Sequence, residues 1–212
     1  MKTDLTNKQI QILDVAETLF AEKGFEGTSI RDISKVAKIN IAMVSYYFGS
    51  KKHLLEALIL YKTSGLKEQL VNLIEEDLES VEKINKLIEL YINRIDCNRG
   101  IYRILHFELA SKKRVLDLPS LTEIKKANLK SMELIIQEGQ AKGVFRKDII
   151  IPLITPTILG TYFHFHMNKP FFEELLNLKT EESFNNYIKT DLTKHIQQTI
   201  KALLIYEDAA KD

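Results

Sequence analysis

Eight glycines and four prolines in a chain of 212 residues leave few places where the backbone can reverse sharply. A many-stranded sheet needs a turn every 8–12 residues or so, usually built on these residue types. At roughly half the usual share of Gly and Pro, the chain instead reads as helix after short turn, an all-α protein. Hydrophobic residues at 45% and charged residues at 28% exclude a disordered chain. The length suits one large domain or two small ones. Such a chain buries roughly 70% of its unfolded surface and needs no disulfide or metal staple.

The first fifty residues read as three helices in quick succession. Thr6 and Gln9 stand at capping-box spacing, and Ile10, Leu13, Ala16, Leu19 and Phe20 follow on one stripe. Gly24 stops that helix, and Thr28 is read as the N-cap of a second whose inward face is Ile30, Ile33, Val36 and Ala37. Lys38 and Ile39 turn the chain, and Asn40 caps a third helix with Val44 and Phe48 inward. This is helix-turn-helix spacing. Ser50 caps a long pattern running from Lys51 to about Asp77, and further helical patterns occupy 80–97, 100–112, 120–142, 149–167 and 184–206. Ser120 with Glu123 is a second capping-box pair, and Gly143 stands where a helix C′ glycine belongs.

The net charge of +1 averages unlike parts. Between Arg31 and His53 there are five basic residues, Arg31, Lys35, Lys38, Lys51 and Lys52, against the single acid Asp32. A solvated basic face would look the same, but Lys51 and Lys52 fall in the first turn of a helix, where the macrodipole prefers acids. Free backbone N–H groups with two ammoniums would clamp a phosphate. The third helix presents Ile41, Ala42, Met43, Ser45, Tyr46 and Tyr47 outward with no charge. Such side chains suit a groove floor and thymine methyls, while tyrosine hydroxyls and Asn40 can bond phosphate oxygens. Packing on another part of the protein is the alternative.

The stretch GFEGTSIRDISKVAKINIAMVSYYFGSKKHLL from Gly24 to Leu55 resembles the DNA-binding domain of tetracycline-repressor (TetR) family regulators. The matching residues are Gly24-Phe25, Gly27-Thr28-Ser29-Ile30, Ile33, Ala37, Tyr47-Phe48 and Ser50-Lys51. Gly139 to Arg146, reading GQAKGVFR, resembles a junction in the larger domain of these proteins. The resemblance implies groove or backbone contacts from Asn40, Ile41, Ala42, Met43, Ser45, Tyr46 and Tyr47. It implies flanking contacts from Thr28, Ser29 and Arg31, and a phosphate contact from Lys51. Lys38 replaces the family's common turn glycine, Ser45 a common tyrosine, and Lys52 a frequent acid. Lys38 and Lys52 join the expected DNA-binding set.

Residues 1–50 are therefore expected to form the helix-turn-helix DNA-binding domain, and 51–212 a helical domain for effector binding and dimerisation. The segment 149–167 is too apolar all round for a helix with one face in water, so a second subunit is a natural cover. Ile150, Ile154, Ile158, Tyr162, Phe184, Tyr187, Ile188, Ile196, Ile200, Leu203 and Leu204 are the apolar residues there. The resemblance implies a homodimer through the last two long helices, binding double-stranded DNA at a palindromic operator. A two-fold dimer sets its third helices about 34–36 Å apart, one turn of B-DNA. An apolar or aromatic small-molecule effector is expected among Tyr61, Tyr91, Tyr102, His106, Phe107, Phe163 and His164, where few charges intervene.

Other chemistries find little support. Cys97 is the single cysteine, so neither an internal disulfide nor a CxxC motif is possible. Ile149–Asn168 carries no charged residue, but Pro152, Pro156, three threonines and two histidines make it wetter than a lone membrane span. With no apolar leader in the opening residues, the expected location is cytoplasmic, with no membrane partner. His164 and His166 are two apart and cannot share a metal on one helix face. Glu75 to Glu79 reads as a solvated helix end and Lys112-Lys113-Arg114 as an exposed loop. No HExxH, GxGxxG or P-loop occurs. No catalytic residue, metal or cofactor is expected. The function these residues support is a ligand-responsive DNA-binding regulator, with repression as the family default. A helical DNA-binding protein without effector is the alternative, and a helical enzyme the more remote one.

Overall fold

The computed structural model describes residues 5–110 and 119–205, with backbone alone for 106–110. No strand occurs among the described residues. Two compact units form, one from residues 1–65 with 97–124 and the other from 66–96 with 125–212. The first unit thus extends past residue 50.

In that first unit, α1 (Asn7–Lys23) opens with the expected capping box of Thr6 and Gln9. Gly24, at φ 72, ends it. Next come α2 (Ile30–Val36), α3 (Ile41–Phe48) and α4 (Lys51–Thr63). They bury Ile12, Leu13, Ala16, Phe20, Ile33, Val44, Phe48, Leu54, Leu55, Leu58 and Ile59 in one core. Each such aliphatic side chain contributes about 1.5–3 kcal/mol when fully buried. A later helix, Arg99–Ala110, adds Ile101 and Ile104 to the same core. Its Arg103 guanidinium donates to the Ala21 carbonyl at the end of α1.

Four local expectations are corrected here. The N-cap of α2 is Ser29, not Thr28: Ser29 Oγ accepts from the Asp32 amide at 3.1 Å and Asp32 returns the bond. Val36 is 56% exposed rather than inward. The pattern from Lys51 to Asp77 is not one helix but breaks at Ser64, giving α4 and α5 (Gly65–Glu75). There the Thr63 and Ser64 hydroxyls bond back to the carbonyls of Ile59 and Tyr61, and Gly65 is a weak helix former. Ser120 lies inside a helix that begins at Pro119, so it is not a cap.

The second unit is built from α5, α6 (Ser80–Cys97), α8 (Pro119–Ala141), α9 (Ile154–Met167), α10 (Lys169–Leu175), α11 (Glu181–Tyr187) and α12 (Thr193–Leu204), α7 being Arg99–Ala110. A five-residue π turn joins α11 to α12, and a 3-10 turn at Ile151–Leu153 precedes α9. The helix α10 was not expected from the sequence. Gly139 is set by packing: a Cβ there would fall within the Phe145 ring, and Gly143 at φ 74 lets the chain fold that ring back. The Arg146 amide then donates to the Leu204 carbonyl at 2.8 Å, tying this junction to the end of α12. Lys83, buried on α6, donates to Ile74 O and Glu138 Oε2, both at 2.9 Å. Lys142, then Lys83, hold the Glu138 carboxyl below its ordinary range.

Candidate nucleic-acid interface

Between α2 and α3 the turn is compact because Lys38 adopts φ 53. A lysine therefore accepts the left-handed conformation that glycine would take without strain. Two bonds hold the turn: the Ile39 amide reaches Ser34 O at 3.0 Å, and Gln11 of α1 donates to Ala37 O at 2.9 Å. Asn40 then caps α3 as expected, its Oδ1 accepting from the Ala42 amide at 2.9 Å. With Val44 and Phe48 buried, the 3.6-residue period turns Ile41, Ala42, Ser45 and Tyr46 to the outside.

Tyr46 is 84% exposed and meets the half-buried Tyr47 edge-on, 5.3 Å between ring centroids. Met43 is half-buried. Exposed Arg31, Lys35, Lys38 and Lys52 belong to the same unit. Lys52 is 48% exposed, with a loose 3.9 Å pairing to Glu56. Asp32 is engaged in the α2 cap: Ser29's hydroxyl, then its amide, hold the Asp32 carboxyl below its ordinary range. The unit thus carries an uncharged outer face on α3 and exposed cations on the neighbouring segments.

Two residues of the expected set are tied to the turn between α1 and α2. The Thr28 side chain is buried, and its hydroxyl donates to Gly24 O at 2.8 Å and Leu19 O at 3.1 Å. Lys51 sends its ammonium inward to Phe25 O at 2.8 Å and Thr28 O at 3.0 Å. The Lys51 bonds span 26 and 23 residues, which periodicity does not see.

The chain matches the family model described as "Bacterial regulatory proteins, tetR family" over residues 12–58. It matches "Tetracyclin repressor-like, C-terminal domain" over 81–200. The chain belongs to the TetR family. Membership makes it a helix-turn-helix transcription regulator rather than an enzyme. Among similar proteins, the transcriptional repressor KstR2 of Mycolicibacterium smegmatis is 26% identical over 73% of this chain and 76% of its own length. The repressor NicS of Pseudomonas putida is 28% identical over 74% and 75%. The fold is that of the fatty acid degradation regulator FadR from Bacillus halodurans, at a TM-score of 0.73 and 21% identity, covering 94% of this chain and 97% of that one. FadR from Bacillus subtilis, solved in complex with stearoyl-CoA, gives 0.70 and 21% over 91% and 97%.

The residues expected around an effector are drawn from both units. Tyr61 and Tyr102 belong to the first unit, Tyr91, Phe163 and His164 to the second. Tyr91 is 5% exposed and part of the core, and Phe163 is half-buried against Tyr162. The His106 and Phe107 side chains, like the Lys112-Lys113-Arg114 segment, lie outside the described residues. His164 lines a cleft of about 560 Å³ with Phe165, Phe172, Tyr187, Leu192 and His195. Aromatic residues of α9, α10 and α11 build it, and sequence spacing did not reveal it because α10 was missed.

Of the apolar residues read as a dimer face, Ile150 and Leu203 are exposed and Tyr187 is half-buried, but the rest are not available to a partner. Ile154, Ile158, Tyr162, Phe184, Ile188, Ile196, Ile200 and Leu204 are buried within the second unit itself. The large apolar residues left in the open are Ile150, Leu153, Met167, Phe171, Leu175 and Leu203, between 48% and 67% exposed. On α9 the exposed positions Pro156, Gly160, His164 and Met167 recur at helical spacing. Among the described residues no cluster of metal-ligating side chains occurs. Nor is any helix there long and apolar enough to cross a membrane.

Proposed function

We propose that this chain is a ligand-responsive repressor that binds a palindromic operator as a homodimer and leaves it when a small, largely apolar effector binds. The observation that carries the DNA reading is the uncharged outer face of α3, with Tyr46 standing free inside a frame of cations. Ile41, Ala42, Met43, Ser45, Tyr46 and Tyr47 meet the major groove, and Ser29, Arg31, Lys38, Asn40 and Lys52 meet the flanking backbone. The exposed apolar residues of α9, α10 and α12 support the homodimer, because monomers rarely leave so many large side chains open together.

Release is a two-state equilibrium, and its depth is the difference in effector affinity between the DNA-competent and the other state. The effector's apolar character is supported by the aromatic cleft, whose polar side chains are His164, His195, Thr161 and Tyr187. The Bacillus subtilis FadR is in complex with stearoyl-CoA, a ligand with a long apolar acyl chain on a charged head. Gel-shift titration on duplex DNA from upstream of the chain's own gene tests the proposal. Tight, salt-steep, sequence-selective binding that stearoyl-CoA or an aromatic carboxylate weakens supports it. Sequence-blind binding overturns the regulator reading, and selective binding indifferent to both compounds overturns the apolar effector.

A further inference from the structure

We infer that the cleft of α9, α10, α11 and α12 takes a planar aromatic acid, and that Gly160 sets how large a ring system it admits. This rests on the effector reading above and names the class of compound that fits the cleft.

The glycine is what the fold leaves unexplained. Gly160 stands in the middle of α9, a 14-residue helix, where glycine is a far poorer helix former than alanine. Its φ is not positive, so no left-handed turn requires it. Gly139 on α8 is different, since a Cβ there would enter the Phe145 ring, whereas a Cβ on Gly160 would meet no atom of the described chain within 4 Å. Gly160 instead lines the cleft, beside Thr161 and His164. Glycine in such a place lets a ligand approach the backbone closely.

The other walls define what can lie there. Phe165, buried on α9, stacks on Tyr187 of α11 with 11° between ring planes and 5.5 Å between centroids. Phe172 of α10 lies 4.6 Å from Phe165, tilted by 30°. All three rings line the cleft, and such near-parallel faces suit a flat ring system. A volume of about 560 Å³ has room for two fused rings.

The polar groups suit a single acidic end. The Asn168 side-chain nitrogen donates to His164 O at 2.9 Å, which orients that amide, and the same nitrogen stands 3.5 Å from His164 Nδ1. Nδ1 therefore faces a donor, and Nε2 carries the ring proton as a donor of its own. The Thr161 hydroxyl spends its proton on Thr157 O at 2.9 Å. His195 brings a second imidazole from α12. The described residues that line the cleft include no Lys, Arg, Asp or Glu. Imidazole N–H groups can hold one carboxylate, whereas the several phosphates of an acyl-CoA would find no Lys or Arg here.

Equilibrium dialysis of benzoate and 2-naphthoate against the full-length chain tests this, with Gly160→Ala, Gly160→Leu and His164→Phe as variants. The wild-type chain binds both acids, 2-naphthoate the more tightly. Gly160→Ala adds one methyl where the chain leaves space, so it raises the melting temperature. It weakens 2-naphthoate about tenfold and benzoate by less. Gly160→Leu weakens both by about 100-fold. His164→Phe keeps a ring but loses the donor, weakening both acids about tenfold and leaving 2-methylnaphthalene unchanged.

Wild-type affinity for neither acid at millimolar concentration overturns the ligand class, and affinities unchanged in Gly160→Leu overturn the site. A Gly160→Ala chain that kept its 2-naphthoate affinity but sedimented as a weaker dimer would assign the glycine to a subunit contact and overturn the proposal too. If stearoyl-CoA released the wild-type chain from its duplex while neither acid bound, the apolar-effector reading would stand and the aromatic-acid cleft would fall. If the wild-type chain bound no duplex selectively, the regulator reading would fall, while dialysis would still decide what the cleft holds.

Discussion

The outer faces of α3 and α9 are both free of charge, yet they are set in different surroundings. The unit that holds α3 exposes Arg31, Lys35, Lys38 and Lys52, and the exposed residues on α3 are a tyrosine, a serine, an alanine and an isoleucine. Around α9 stand Leu153, Met167, Phe171 and Leu175, all more than half exposed. An uncharged helix face alone does not say what covers it. The frame decides: cations attract phosphates and leave the neutral face to read bases, whereas an apolar frame fits a surface of its own kind.

That contrast can be broken most decisively at α9 and α10. Met167→Glu combined with Phe171→Glu places carboxylates in the proposed subunit contact, so sedimentation velocity should show a monomer and operator affinity should fall about 100-fold or more. A dimer that persisted would mean the two faces do not differ in the way argued. On the other face, Tyr46→Ala should cost about 1–3 kcal/mol on the preferred duplex, measured by gel shift. Binding to unrelated duplexes should change little. Equal loss on both would make Tyr46 a backbone contact.

The frame itself is tested by Lys38→Gly. Relief of the left-handed strain and the added freedom of the unfolded chain oppose one another, so stability should move by less than about 1 kcal/mol. Affinity should fall a few-fold on every sequence, with a shallower salt slope. The smallest effect is expected at Asp32. Its carboxyl is pulled below the ordinary range by Ser29, so its contribution to stability is present above that range and is lost as pH falls through the lowered value. Acid unfolding of Asp32→Asn should lack that part of the pH dependence, with little change at neutral pH.

What the sequence made legible follows from what periodicity can sense. Val44 and Phe48 inward imply Ile41, Ser45 and Tyr46 outward, so the uncharged outer face of α3 is legible in the sequence. The caps at Thr6, Asn40 and Ser50 were equally plain, since each bond spans two or three residues. The bonds that Lys51 makes were not legible, because its partners are carbonyls that only the folded turn brings near, 23 and 26 residues away. Ser64 was missed because a continuous leucine stripe persists across the break.

On α9 and α12 the limit is of another kind. An apolar stripe says that something must cover it, and Ile158, Tyr162 and Ile200 are covered by their own unit. Periodicity cannot distinguish that from cover by a second copy. Helix α10, seven residues long, is too short for a period to register, and the aromatic cleft was lost with it.

Hydroxyl-radical footprinting of the bound upstream duplex tests the central claim most directly. Two α3 helices of a two-fold dimer predict two protected patches of related, inverted sequence, centred about 10 base pairs or a multiple of that apart. Protection spread evenly along the duplex, or a single patch with no inverted partner, would contradict it.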